Sequence, residues 1–458
     1  MATDLISRGM ANKALKQYND IANEIADIKS YLIYVDIYNN AIHKDVYGVE
    51  VDFENRTFTR LAGAVGKTPG TDFDSINAFG GRKRCILTDD GVVLAYYGES
   101  GYSETGKTTV EIQKDSVTYP VETIVQVMVE QPKFYYKVVP LQLEPITDGI
   151  GYHLRKARYY VSDTPKVGFK VHPAFVRNGV VKDKIYLSAY EGSIYDVSAG
   201  KYLLKDEQDA DFGNDKLSSI AGAKPASGLN QSLTRANARK LAKNRGTGWQ
   251  ISDVLSAAVT QMLFVIEYAA FNMQSAIGLG VVSKPVGVGN ESELTGATTK
   301  LGNASGRADG ANGLASVTYR GEENFWGNIW KWIDGLNIEC GGGVHEAWYA
   351  DHDFADDTKA SPYKNCGFTL AKSNGYVSAF GYSEDCDFLF LPTETLGEPS
   401  SPIGDYFYQD HASSGWRVSH LGGSWAYGPS AGGFCWRVTI SSDYRFRFVG
   451  GRLLYVPQ

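Results

Sequence analysis

Seven of the eight tryptophans fall between Trp326 and the C-terminus; only Trp249 lies outside. Indole rings are large and mostly apolar, so this third of the chain must build a core around them. Glycines flank them: Gly327 and Gly335 bracket Trp330 and Trp332, and Gly422 and Gly423 precede Trp425. Rings set between turn-formers predict a frame of short, tightly turned segments. The i, i+4 spacing of Trp326 and Trp330 predicts one helix face there.

The rest of the chain reads as three further stretches. The 458 residues allow two to four domains, at roughly 100–200 residues each. Residues 4–33 are expected to be helical, because Tyr18, Ile21, Ile25, Ile28 and Leu32 step by 3, 4, 3 and 4. Isoleucine along such a seam favours a trimeric coiled coil. Residues 36–165 alternate in short apolar runs, such as Val49, Val51 and Phe53, and predict a small antiparallel β domain acting as a spacer or docking unit. Residues 166–458 predict a larger domain with a strand at 185–190 and a helix at about 250–273, where Ile251, Val254, Leu255, Ala258, Met262, Val265 and Ala269 keep helical spacing. After that helix, residues 284–316 form a loop with seven glycines, long enough to expect function or motion. The fold class expected from these parts is α+β.

Several functions are disfavoured by composition. The net charge is -7, which gives no global case for nucleic-acid binding. Arg235, Arg239, Lys240, Lys243 and Arg245 gather on a short helix, but a solvated face explains them. No apolar run reaches the ~18 residues of a membrane span, so no membrane insertion is expected. The start, Met-Ala-Thr-Asp, has no charged-then-apolar leader, so secretion by that route is not expected. The five cysteines, Cys85, Cys340, Cys366, Cys386 and Cys435, form no C-x-x-C pair and are expected as buried thiols. Residues 101–108, Gly-Tyr-Ser-Glu-Thr-Gly-Lys-Thr, match the P-loop pattern. Phosphate binding needs a helix directly after them, whereas residues 109–114 alternate like a strand; a hairpin loop is expected instead.

The C-terminal motif is more specific. Residues 422–442 run G-G-S-W-x-x-G-x-x-A-G-x-F-x-W-x-V-x-x-S-S, and G-x-R-L-L-Y closes the chain at 450–455. With the earlier G-N-x-W-x-W-x-D-G at 327–335, this resembles the variable proteins of diversity-generating retroelements, of the phage tail-fibre type. The resemblance implies a C-type lectin-like fold, of the formylglycine-generating-enzyme branch, over 166–458, with a variable region at about 405–458. In that family a reverse transcriptase copies a template with errors at adenines and rewrites the 3′ end of the gene. Framework positions would then be Trp326, Trp330, Trp332, Gly422, Gly423, Trp425, Trp436 and Arg452. The variable, receptor-binding positions would be Ala426, Tyr427, Pro429, Ser430, Cys435, Arg437, Thr439, Ile440, Tyr444, Phe446 and Phe448, with His411 and His420. Adenine mutation of an AAC codon never gives Lys, Glu, Gln, Met or Trp, and no Lys, Glu or Met follows Glu398.

The resemblance implies a phage adhesin that binds a bacterial surface receptor, protein or glycan. It would sit at the tail tip or tail fibre of the virion, beside other tail or baseplate proteins, as a homotrimer that adds avidity. A variable protein displayed on a bacterial surface is the alternative. A formylglycine-generating-like oxidase comes third, because its chemistry uses a cysteine pair and the variable region offers Cys435 alone. No catalytic residue and no cofactor are expected. The polar cluster His345, Glu346, Asp351, His352, Asp353, Asp356 and Asp357 offers oxygen ligands, and Asp351, Asp353 and Asp356 are weak calcium candidates. A solvated acidic loop explains them as well.

Overall fold

The computed structural model describes residues 44–206, 210–341, 343–409 and 414–458, together with Lys16, Gln17 and Ile21. The N-terminal coiled coil expected over 4–33 lies outside the described residues, as does His411. No long N-terminal helix is present among those described, and the α+β class is corrected: the described structure is mostly β, 35% strand and 11% helix, with four short helices among the described residues.

Among the described residues three large sheets are joined by five smaller ones of two or three strands. The first runs in the order 170–171, 135–145, 152–162, 46–52, 57–62, and 379–382 and 392–394 add to it through the 152–162 strand. The second runs 249–251, 453–455, 184–188, 126–132, 83–87, 93–96. The third runs 364–369, 344–349, 330–341, 415–421, 436–440, with 449–450 parallel to the 330–341 strand. Many of these strands arise directly from alternation of apolar and polar residues. Val49 and Val51 face the core while Glu50 is half-buried, and Arg56 adopts a left-handed turn between the first two strands.

The sheets ignore a boundary at residue 165. Phe380 pairs with Leu154 and Tyr382 with Tyr152, so the first sheet draws strands from both sides of it. In the second sheet Leu187 lies opposite Val129 on one edge and Leu454 on the other. One hydrophobic core therefore runs from Val49 to Val456. The Val254–Tyr268 helix lies inside it, with every residue from Val254 to Glu267 buried. A helix apolar on all sides belongs in a core rather than on a surface. Asp253 starts it, accepting from the Ser256 N–H at 2.7 Å while Ser256 Oγ accepts from the Asp253 N–H.

Arg155 ties the two sides of residue 165 together. Its guanidinium forks onto Glu394 at 2.7 and 2.8 Å. These hydrogen bonds hold the Glu394 carboxyl down at about 2, against the opposing effect of burial. Because the folded value lies below the unfolded one of about 4.5, this pair stabilises at neutral pH and stops doing so as pH falls from about 4.5 through about 2. The melting temperature of Glu394→Gln is thus expected below wild type at pH 7, with the gap closing towards pH 2. A gap independent of pH would remove the role assigned to this ion pair.

Two other expectations are corrected by packing. Trp326 and Trp330 do not share a helix: Trp326 sits in a turn and Trp330 opens the 330–341 strand. Arg235, Arg239 and Arg245 are buried rather than solvated. Arg239 meets Asp334 at 2.6 Å and Asp356 at 2.7 Å, and Arg245 meets Asp89 at 2.6 Å. The 101–108 loop has no helix after it; Lys107 pairs with Glu122 at 2.6 Å and a hairpin of 112–114 with 117–119 comes next. The 284–316 loop is pinned by Glu323, which accepts from the N–H groups of Gly296 and Thr298, each at 2.7 Å.

Candidate functional site

The framework residues form a buried base. Trp326, Trp330, Trp332, Trp425 and Trp436 are all within the core, and Arg452 is buried with them. Indole N–H groups anchor the base: Trp332 donates to the Leu233 carbonyl at 3.1 Å and Trp436 to the Phe390 carbonyl at 3.0 Å. Arg452 donates to the carbonyls of Glu323 at 2.6 Å and Ser188 at 2.7 Å, joining the second sheet to the turn before Trp326.

The 422–435 turn needs its glycines. Gly423 is left-handed (φ 78°), and a Cβ there would stand 2.6 Å from that of Ala431. A Cβ on Gly432 would lie 2.0 Å from Asp405 Oδ1. Asp405 accepts from the Phe434 N–H at 2.6 Å, and burial pushes its carboxyl far above the usual carboxylate range. With the turn so held, Ala426, Tyr427, Pro429 and Ser430 keep partial or full exposure while Phe434 and Cys435 are buried.

Strand alternation then sorts the residues after the turn. Trp436, Val438 and Ile440 face inward while Arg437 and Thr439 face out, as a period of two requires. Arg437 donates from Nε to Thr439 Oγ1 at 2.9 Å and from Nη1 to the Tyr427 hydroxyl at 3.4 Å. Its guanidinium also lies over the Tyr444 ring, 5.7 Å from the centroid. The irregular stretch 441–448 is tied down where Trp330 N–H reaches the Phe448 carbonyl at 2.8 Å and Gly228 N–H the Phe446 carbonyl at 3.0 Å.

The outward side chains meet in one row of rings. Tyr427 stands on Trp330 at 5.1 Å between centroids and touches Phe448 at 6.4 Å. Phe448 packs on Phe446 at 4.6 Å, and Phe446 stacks near Tyr444 at 6.3 Å. Phe446 is 38% exposed and the others are half-buried. Tyr408, Tyr406 and Tyr376 continue the row from the far side of Tyr427, at 5.6, 4.5 and 5.1 Å. These three are absent from the sequence-based set. Their place comes from backbone pairing: Tyr408 N–H donates to the Trp436 carbonyl and Val438 N–H to the Tyr408 carbonyl. Ala426, Pro429 and Ser430 border the row, with the Tyr376 hydroxyl 3.4 Å from Ser430 Oγ.

Three residues assigned to receptor contact lie inside instead. Ile440 keeps the inward register of the strand. Cys435 is fully buried and its thiol is pushed far up by burial, with Asp405 adding to the shift. His420 is wedged between Trp332, 4.2 Å away, and Trp330, and burial drives its basicity well below the ordinary histidine value, which keeps it neutral. The other cysteines are buried too, and Cys366 and Cys386 lie in contact with one another.

The acidic cluster is spread among other partners. Asp356 lies 2.6 Å from Arg235 and 2.7 Å from Arg239, which hold its carboxyl below the ordinary range against the effect of burial. Asp351 receives His352 Nδ1 at 2.6 Å and the Asn178 N–H at 3.0 Å, while the Asp353 side chain is 85% exposed. No group of three or more His, Cys, Asp or Glu is placed to hold a metal ion among the described residues.

No family model matches the chain. No curated protein matches it either. Among solved structures it is similar to "Major Tropism Determinant P3c Variant", at 10% identity over 81% of this chain and 71% of that one, with a TM-score of 0.26. It is also similar to "Major Tropism Determinant I1 Variant", at 10% identity over 81% and 78%, with a TM-score of 0.27. A likeness of that size assigns neither a fold family nor a function to this chain.

Proposed function

We propose that this protein is a receptor-binding protein of a phage tail, which presents a diversifiable face to the bacterial surface. One observation carries the proposal. Of the positions that the C-terminal motif leaves free, Tyr427, Arg437, Tyr444, Phe446 and Phe448 converge in space, while the fixed Trp425, Ala431, Phe434, Trp436 and Val438 are buried. Such a division lets side chains on the face change without touching the packing that holds them. Tyrosine and arginine are the residue types that dominate binding hot spots, and tyrosine offers contact area at low entropic cost. Binding suits this face better than catalysis, since the one thiol in the turn, Cys435, is sealed in the core. The flanking locus tests the proposal. It is expected to hold a reverse-transcriptase gene and an adenine-rich near-copy of the 3′ end, with mismatches at the codons of the exposed positions. A locus with neither would contradict it.

A further inference from the structure

Charge on the ring face goes one step further, and rests on the function just proposed. Many arginines elsewhere in the molecule are matched: Arg82, Arg155, Arg177, Arg239 and Arg320 each face a carboxylate, while Arg60, Arg307 and Arg417 donate to carbonyl groups. Arg437, Arg445 and Arg447 have no carboxylate within ion-pair distance among the described residues. The nearest acid in sequence, Asp443, is engaged by Ser441 Oγ. Arg437 and Arg447 lie over the Tyr444 and Phe446 rings, the latter 5.0 Å from the centroid, and Arg445 is exposed. Three unneutralised guanidiniums in one short stretch stand out on a chain of net charge -7.

We infer that the ring face binds an acidic protein surface, one whose carboxylates sit beside aromatic or aliphatic side chains. Stacking fixes the Arg437 and Arg447 guanidiniums before any partner arrives, so less freedom is lost when a carboxylate docks. Unmatched guanidiniums beside aromatic rings offer cationic and apolar contacts together, which carboxylates set among apolar side chains complement. A cleft of about 670 Å³ lies apart from the ring face, lined by residues around Trp249, Lys182 and Asp351.

Binding of the full chain to immobilised poly(Glu,Tyr), poly(Lys,Tyr) and polygalacturonate tests this. Poly(Glu,Tyr) is expected to bind and poly(Lys,Tyr) not. Affinity for the acidic copolymer should fall about tenfold in Arg445→Ala/Arg447→Ala and recover only in part in Arg445→Lys/Arg447→Lys, which keeps the charge but not the stacked guanidinium. For the wild-type protein, which needs no substitution to fold, affinity should also weaken as salt is raised. Equal binding to both copolymers, affinity indifferent to salt and to the alanine pair, or preference for polygalacturonate would each overturn the inference. Host-cell adsorption that persists alongside any of these results would leave the receptor-binding function standing without its acidic partner.

Discussion

A fragment starting at residue 166 is expected not to fold. It would lack the 126–132 and 83–87 strands that pair beside 184–188, and the 152–162 strand on which 379–382 docks. Apolar side chains of the second sheet and one flank of the Val254–Tyr268 helix would then meet water, at ~25 cal/mol per Å² of apolar surface uncovered. New unpaired sheet edges would add an aggregation risk. Far-ultraviolet circular dichroism of the purified fragment should show no cooperative melting transition under conditions where the full chain melts sharply. A fragment melting as cooperatively as the full chain, at a similar temperature, would show that residues 166–458 stand alone after all.

The two halves of the chain could not be seen to share sheets from sequence, for a definite reason. Alternation announces a strand and its inward face: the run beginning at Val49 falls on the 46–52 strand, and the strand expected at 185–190 is found at 184–188. It carries no record of which strand lies alongside, so Leu154 beside Phe380 was invisible. The same gap hid the partners of Arg235 and Arg239, because Asp334 and Asp356 are distant in sequence and the helix alone looks like a solvated basic face. For Trp326 and Trp330 the i, i+4 spacing misled. Trp330 and Trp332, two apart and both buried, held the strand signal.

At the ring face the motif's fixed positions mark the buried base well. The intervening positions were a mixed set. Ile440 continues the two-residue period of Trp436 and Val438, so its inward place was legible from spacing. Cys435 and His420 had no such signal, since their burial depends on how the 422–435 turn folds over the 415–421 strand. Tyr408 enters the row by pairing with the 436–438 segment, and Tyr376 and Tyr406 by pairing with one another, and no spacing records either pairing.

The second large effect is expected on binding rather than folding. Tyr444→Ala/Phe446→Ala removes the most exposed part of the ring row and the platforms under Arg437 and Arg447. Truncating hot-spot rings typically costs about 2 kcal/mol or more each, so a loss of adsorption on the order of 100-fold is expected from the pair. Stability should change little, because the frame of Trp330, Trp332, Trp425 and Trp436 is untouched. The most direct measurement is competition: purified wild-type and Tyr444→Ala/Phe446→Ala protein, each with its melting curve, compared as inhibitors of phage adsorption to host cells. The variant is expected to melt within a few degrees of wild type and to fail as an inhibitor. A variant that inhibits as well as wild type would contradict a receptor-binding role for this face.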